Sequence, residues 1–517
     1  KLVSMKIKIK NAIVSLSDKS KIDFLTKIFK RHNVNVISSG GTYKKIIKKY
    51  KKCTEVSKFT GFKEMLDGRV KTLHPKIFSG ILCDRRKARH NKDLNKLDIP
   101  TIDLVIVNFY PFEEFFSKKN SKNKIIENID IGGPSLVRAA SKNYKYITVI
   151  TDPSDYKNLE NELKKNKGST SEEFREKMAC DAFARTTNYD SLISQWFLKN
   201  NKKYVPKFFS VSGKHKAKLR YGENPHQQAH YYNINNQKDF EKIHGKDLSY
   251  NNLLDTFSAL HIQETFKKNQ GTVIIKHGNP SGASIEKNQI ISFKQALNSD
   301  PISAFGSVLS INSKITKNFA TELNKYFFEI IAARGYAKNA LKILKKKKNR
   351  ILIDSKNFKS EKLFDISFFG NTFSLQNIDN SIYEAKKTRI VTKLKPSKIN
   401  IESLKFAFNI CKFTKSNAIV IIKNKSTIGI GCGQPSRLDS CKIAIQKALK
   451  FNKNNINNTI AASDAFFPFK DGISELIRLG VQTIIQPGGS IRDKEVIDFA
   501  NKKKIAMIFT GKRTFKH

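Results

Sequence analysis

Residues Thr272 to Gly282, TVIIKHGNPSG, hold the densest chemistry of the chain. An apolar β-branched run, Val273-Ile274-Ile275, stops at Lys276-His277 and passes into Gly-Asn-Pro-Ser-Gly turn chemistry. That order predicts a buried strand delivering two titratable side chains to a loop at its carboxyl end, where open α/β sheets bind ligands. A lysine partly desolvated beside a histidine suits general acid–base work, because burial lowers both pKa values. A surface lysine ahead of a helix-capping loop is the plainer reading of the same residues.

Several other segments carry reactive or anion-binding groups. Ser39-Gly40-Gly41-Thr42 lies between a strand and a helix, where backbone N–H groups, hydroxyls and the helix dipole favour phosphate. Ser15, Ser17 and Lys19 offer hydroxyls and an ammonium at a second strand end, and Arg69, Lys71, Thr72 and His74 crowd one short segment. Three such turns in one small domain favour a phosphorylated ligand over solvated basic loops. Tyr110 follows an apolar strand, Asp130 precedes Gly132-Gly133, whose N–H groups can hold an oxyanion, and Lys142 lies on the helix that follows. Further along, Arg220-Tyr221 and His226 lie in LRYGENPHQ, Asn417 precedes a strand, and Arg437 closes GIGCGQPSR. Arg220 can hold a phosphate bidentately. His226 and His230 have i,i+4 spacing but no HExxH pattern or nearby cysteine, so no metal is expected. Arg513 and His517 follow an apolar run, and a terminal histidine can either fray or fold back into a site.

The elements that position these groups follow from pattern and length. A chain of 517 residues exceeds one hydrophobic core, and its 37 Phe and 39% hydrophobic content supply ample packing material. Apolar runs over 12–16, 34–37, 104–108 and 146–150 alternate with helical stretches, which predicts a parallel sheet flanked by helices. A long helix over 174–198 and a linker over 200–206 close that domain. Beyond it lies an internal echo: Val273–His277 then Ser299–Phe305, and Ile419–Asn424 then Ser463–Pro468, each an apolar strand and a Ser-Asp turn leading into Phe. A duplicated α/β module is the expectation, its halves joined by a Lys- and Phe-rich connection over 339–395. Six cysteines without a CxxC pair suggest reduced thiols in a cytoplasmic protein, and no apolar run is long enough to span a membrane. The net charge of +51, taken literally, predicts nucleic-acid binding. Its lysines are spread over the whole length among Asn, Ile and Phe, which fits A/T-rich codon usage better than a binding patch.

Taken in order, SLSDKS, SSGGT, GRVKTLHPK, NFYPF, IDIGGPS, LRYGENPHQ, KHGNP, SDPISAFG, TKSNAIV, GIGCGQPSR, SDAFFPFKDG and PGGSIRD resemble the bifunctional AICAR transformylase/IMP cyclohydrolase family over nearly the whole chain. The resemblance implies a methylglyoxal-synthase-like domain over 1–205, carrying the cyclohydrolase. It also implies a transformylase over 206–517 built from two cytidine-deaminase-like α/β modules, with no metal required. The implied substrates are AICAR, with 10-formyltetrahydrofolate as formyl donor, and the product FAICAR, which is closed to IMP. By the same resemblance, Lys276 and His277 form the transformylase pair, and Lys71, Tyr110, Asp130 and Lys142 the cyclohydrolase group. Ser15, Ser17, Lys19, Ser39, Gly41, Thr42, Arg69 and Thr72 would hold the nucleotide phosphate. Arg220, Tyr221, His226, Asn417, Arg437, Arg513 and His517 would hold AICAR, with Phe466 facing the folate. Family members are homodimers that share transformylase sites between subunits. Phe78-Ser79 departs from the family pattern, so a transformylase with a decayed cyclohydrolase is the second reading, and a basic nucleic-acid-binding protein the third.

Overall fold

The computed structural model describes residues 5–112, 120–201, 204–234, 238–266, 270–360, 364–381, 383–396 and 400–517. The chain forms two compact units, Lys1–His215 with Tyr232–Asn236, and Lys216–Tyr231 with Gln237–His517.

In the first unit, β1 (Asn11–Leu16), β2 (Asn35–Ser38), β3 (Cys53–Glu55), β4 (Leu104–Asn108) and β5 (Thr148–Ile150) make a parallel sheet in the order β3-β2-β1-β4-β5. β4, LVIVN, is buried at every position, as a central strand covered on both faces must be. Helices α1 (Ile22–His32), α2 (Gly40–Ile47) and α3 (Gly132–Lys142) follow β1, β2 and β4 in the chain. The carboxyl ends of these strands are tied together. Asn108 Oδ1 accepts from the N–H groups of Ser17 (2.6 Å) and Asp18 (3.0 Å), and the Ser38 hydroxyl donates to the Val14 carbonyl (2.7 Å).

Helix α4 (Glu172–Asn200) runs slightly beyond its expected span, because Ser171 caps its first turn through Phe174 N–H and Glu172-Glu173 complement its dipole. On it, Arg175 is fully buried and donates to the carbonyls of Tyr144, Thr170, Met5 and Lys145 at 2.6–2.9 Å. Burial lowers its pKa to about 10. Glu160, by contrast, gathers Lys157, Lys164 and Arg31 at 2.7–2.9 Å, and these side-chain bonds pull its pKa down to about 2.

In the second unit a single twelve-stranded sheet carries two copies of one plan. The first copy comprises β6 (Glu241–His244), α5 (Tyr250–Thr265), the hairpin β7 (Gly271–Lys276) and β8 (Asn279–Ile285), α6 (Gln289–Ser299), then β9 (Val308–Ile311), β10 (Ile330–Ala333) and β11 (Ile351–Asp354). The second comprises β12 (Arg389–Ile390), α7 (Asn400–Lys412), the hairpin β13 (Ile419–Lys423) and β14 (Ser426–Gly431), α8 (Arg437–Asn452), then β15 (Thr459–Ser463), β16 (Val481–Gln486) and β17 (Ala506–Phe509). The order β6-β11-β10-β9-β7-β8-β14-β13-β15-β16-β17-β12 reads the same from both ends once the copies are exchanged. β7 and β13 are unbroken apolar runs because both faces are covered: Val273 and Ile275 pack with Leu260 and Phe266, Ile274 with Phe293.

Lys276 ends β7, and His277-Gly278 make the tight antiparallel turn that follows, with His277 at φ 53° and Gly278 at φ 74°, the left-handed geometry two-residue turns favour. The echo is real in its strands but misaligned in its Ser-Asp turns. Ser299-Asp300 precedes β9, whereas Ser463-Asp464 ends β15 and follows it.

The copies meet where β8 pairs with β14 at Ser284 and Ser426. Their hydroxyls lie 2.7 Å apart, both reach Gln295 Oε1, and Thr427 Oγ1 accepts from Ala283 N–H (2.9 Å). Side chains are excluded beside this seam. A Cβ on Gly282 would stand 1.9 Å from the Ala296 carbonyl oxygen, and one on Gly431 1.9 Å from that of Ser440, so α6 and α8 lie backbone against strand.

Arg175→Leu strands four carbonyls from their donor and should lower the stability of the first unit by roughly 3 kcal/mol or more, read as its denaturant midpoint by circular dichroism.

Candidate active sites

In the first unit the chemistry gathers around the amino terminus of α2. Ser39 precedes the helix in extended conformation and makes no side-chain cap, so first-turn N–H groups are left for a ligand. Side chains there would meet lysines: a Cβ on Gly41 lies 3.5 Å from Lys19 Cε, and one on Gly40 3.8 Å from Lys71 Nζ. Lys19 Nζ donates to the Ser17 carbonyl (3.1 Å), and burial, then Lys45, lowers its pKa. Ser15 is half-buried on β1. Thr42 serves differently from expectation. Its hydroxyl both accepts from and donates to the Leu16 backbone at 3.1 Å, fastening α2 to the end of β1.

Lys71 Nζ pairs with Glu64 (2.9 Å), and the buried Thr72 hydroxyl lies 3.0 Å from where a Cβ on Gly132 would stand. That contact brings the Lys71-Thr72 segment to the start of α3, beside Asp130. Asp130 Oδ1 accepts from Gly133 N–H (2.8 Å), the Tyr110 N–H also reaches its carboxylate, and its own N–H donates to the Tyr189 hydroxyl (2.8 Å). Burial raises the Asp130 pKa against these bonds. The Tyr110 side chain is half exposed. Arg69 pairs with Glu127 at the surface. Lys142 is exposed in the last turn of α3, on the order of 15 Å along the axis from the Asp130 end by helix rise.

In the second unit the tip of the β7–β8 hairpin is the meeting point. Asp255 of α5 holds it: its carboxylate accepts from the N–H groups of Gly278 (2.6 Å) and His277, and burial raises its pKa. Left-handed backbone at a histidine is strained, and these bonds hold it in place. Lys276 is half-buried and its Nζ donates to the carbonyls of Phe305 (3.1 Å) and Gly306 (3.4 Å); His277 is exposed. The loop carrying those carbonyls is hydrogen-bonded to the Phe327–Glu329 segment, Gly306 N–H donating to Phe327 O and Glu329 N–H to Ser307 O. Arg220 Nη2 reaches Glu329 (3.4 Å) and stacks over Tyr221. Burial would raise Glu329, but Lys246 at 2.8 Å, with Asn252 and Arg220, brings it below its ordinary value.

The other side of the tip belongs to the second copy. Asn279 Oδ1 accepts from Lys415 N–H (2.9 Å), next to Ser416-Asn417. Asn417 donates to the carbonyls of Gln434 and Pro435 and accepts from Arg437 (2.7 Å). Arg437 is not an open anion site. It is buried against Asp464, Ser463 and Asn417. The C-terminal segment docks here rather than fraying: Ser416 N–H donates to Lys516 O (2.8 Å), Lys516 N–H to the Ser416 hydroxyl (3.0 Å), and Thr514 N–H to Asp464 O (2.9 Å). Arg513 lies over the Phe515 ring, which neighbours His517. Phe466 is half-buried beside Asp464, and His226 is exposed on a turn closed by Gly222 and Gln227.

Asp255 and Asp464 escaped the sequence reading as site residues. Asp255 had a signal: it shares one buried face of α5 with Asn252, Thr256 and Ala259, a carboxylate at helical spacing among core positions.

The family model for the AICARFT/IMPCHase bienzyme matches residues 140–447, and that for the MGS-like domain residues 21–135. The bifunctional purine biosynthesis protein PurH of Leptospira biflexa is 42% identical, covering 99% of this chain and 100% of that protein. PurH of Caldicellulosiruptor saccharolyticus is 43% identical (98% and 100% covered), and that of Buchnera aphidicola 44% (98% and 99%). The chain belongs to the AICARFT/IMPCHase bienzyme family. Like the PurH proteins, it is a bifunctional enzyme of purine biosynthesis that joins AICAR formyltransferase to IMP cyclohydrolase.

Two measurements test the buried charges. Arg437→Met leaves Asp464 buried without its cation and should lower second-unit stability by about 3–5 kcal/mol, seen as an earlier thermal transition. Asp130 has its folded pKa above the unfolded value, so its carboxylate form weighs against folding. That penalty is absent below the ordinary carboxylate pKa and complete above the raised one. Asp130→Asn should therefore raise the first-unit Tm at pH 7.5 and leave it unchanged at pH 3.

Proposed function

We propose that the first unit closes FAICAR to IMP and the second transfers the formyl group from 10-formyltetrahydrofolate to AICAR. The observation that carries the division is the pairing of Lys276 and His277 at a hairpin tip held by Asp255, separate in the chain from the Lys71–Asp130 cluster.

In the transformylase the AICAR amine attacks the formyl carbon and the bond to the folate nitrogen breaks. Delocalisation into the ring carboxamide makes the amine a poor nucleophile, so proton removal by His277, relayed through that carboxamide, is the assisting step. Lys276 Nζ has three N–H donors, two of them used on the Phe305 and Gly306 carbonyls. The third stabilises the developing negative charge and protonates the departing folate nitrogen. Arg220, Tyr221, His226, Asn417, Arg513 and His517 bind AICAR, with Arg437 holding Asn417 in place and Phe466 facing the folate. Arg220 and Asn417 belong to different sides of the hairpin tip, and a homodimer sharing its sites between subunits would supply each substrate with both.

In the cyclohydrolase the carboxamide nitrogen attacks the formyl carbon and water leaves. The phosphate sits at the open α2 terminus between Lys19 and Lys71, with Ser15, Ser17, Ser39, Gly41, Arg69 and Thr72 around it. A carboxylate whose pKa is raised, Asp130, suits removal of the amide proton. Tyr110, Lys71 and the Gly132-Gly133 N–H groups face the oxyanion. Lys142 belongs to this group only if a second copy, or a shift of α3, brings it within reach. A cytoplasmic location, beside the folate and nucleotide pools, fits these reactions.

The test is a coupled assay with AICAR and 10-formyltetrahydrofolate, separating FAICAR from IMP. The parent should make IMP, Lys71→Ala should accumulate FAICAR, and Lys276→Ala should make neither. Closure is also measured on supplied FAICAR, which Lys276→Ala should still convert; a variant that loses formyl transfer and closure of supplied FAICAR equally would refute the division of labour.

A further inference from the structure

Helix α8 carries two cations on successive reaches of one rod, and each meets a buried aspartate of a Ser-Asp turn. Arg437, at its start, meets Asp464 of its own copy; Lys447, about 15 Å further along by helix rise, meets Asp300 of the other copy at 2.8 Å. The Arg437 pair shapes the Asn417 side of the site. No role has so far been given to the Lys447 pair.

Asp300 follows α6 and opens the loop that ends at Gly306. Its side chain is buried and accepts from both the N–H (3.0 Å) and the hydroxyl (2.7 Å) of Ser303, while its carbonyl accepts from Ala304 N–H (3.2 Å). The same loop then presents the Phe305 and Gly306 carbonyls to Lys276 Nζ. It lies in contact with the lysine there: a Cβ on Gly306, at φ 68°, would stand 3.5 Å from both Lys276 Nζ and the Phe327 ring. Burial would raise the Asp300 pKa, but Lys447 and Ser303 bring it below its ordinary value. Among the described residues Lys447 is the one cation paired with Asp300.

We propose that Lys447 is a positioning residue of formyl transfer: by holding Asp300 across the seam, it sets the 300–306 loop whose carbonyls orient the Lys276 ammonium. An unpaired carboxylate in this buried place would turn toward water or take up a proton, and either would release Ser303 and the carbonyls beyond it. Lys276 would keep its charge and lose its direction. Substrate binding, which uses other groups, would be little changed.

This rests on the reading of Lys276 as catalytic, and the experiment separates the two. Full-length Lys447→Met, Lys447→Arg, Asp300→Asn, the Asp300→Asn/Lys447→Met double variant and Lys276→Ala are assayed for formyl transfer with AICAR varied. FAICAR closure is measured on the same preparations. Lys447→Met should lower formyl-transfer kcat about ten- to a hundredfold, as a misplaced reacting group does, with the AICAR KM held within about twofold. Closure of FAICAR should be unchanged, Lys447→Arg should recover most of kcat, and the double variant should be no worse than Lys447→Met alone. Should Lys447→Met fail to fold, the near-isosteric Asp300→Asn carries the same kcat-against-KM test. An unchanged kcat in folded Lys447→Met, a parallel rise in KM, additive losses in the double variant, or no recovery with Lys447→Arg would each overturn the proposal. If Lys276→Ala itself retains formyl transfer, the failure lies with the catalytic reading instead.

Discussion

The second unit depends on the seam where its two copies share one apolar core and a short backbone ladder. Among the described residues Ser284 and Ser426 are the one ladder pair between the two copies, reinforced by their hydroxyls, by Gln295 and by Thr427 against Ala283. Because β8 and β14 run antiparallel across it, the tip of one hairpin lies beside the base of the other. That is how Asn279 comes to meet Lys415, and how a histidine from the first copy shares a locality with the arginine and C-terminal segment of the second. The glycines flanking the seam let α6 and α8 approach closely enough for Lys447 to reach Asp300. Volume added at Gly282, Gly429 or Gly431 would therefore be felt at the hairpin tip, by rigid transmission through a close-packed layer.

Much of this architecture is written locally in the chain. The apolar runs of β1, β2, β4, β7 and β13 announce themselves because a strand covered on both faces has no polar alternate positions to confuse with a helix. The Ser39–Thr42 turn was equally readable, since paired glycines between an apolar strand and a helical stretch act over a few residues, whereas the Ser171 cap that starts α4 two residues early went unread. What stayed hidden is what sequence separation conceals. Nothing near Arg437 says that its charge is neutralised by Asp464, and nothing near Thr42 says that the Leu16 backbone occupies its hydroxyl. The same holds for Lys142: a residue's place in a motif does not give its distance along a helix from the rest. The Ser-Asp echo misled because two turns of like composition serve opposite ends of a strand, and composition carries no topology.

The net charge of +51 also takes on meaning in the fold. With 96 Lys and Arg against 45 Asp and Glu, carboxylates are the scarce partner. Several of them are shared: Glu160 among Arg31, Lys157 and Lys164, Glu322 between Lys294 and Lys325, Glu329 between Arg220 and Lys246, Glu384 between Lys387 and Lys512. Where both partners are exposed, such pairs add little individually. Their effect is to relieve crowding among cations that self-repulsion would otherwise push apart.

Glu160 shows where this leads. In a protein of balanced charge, neutralising one surface carboxylate releases one cation, which finds another partner nearby. Here its neutralisation sets three ammonium or guanidinium groups against one another at once, on the helix Tyr156–Lys165 and across to α1. Acid tolerance is thus concentrated in a small number of hubs, and the lysine-rich surface inherits the fragility of a network with few nodes and many links.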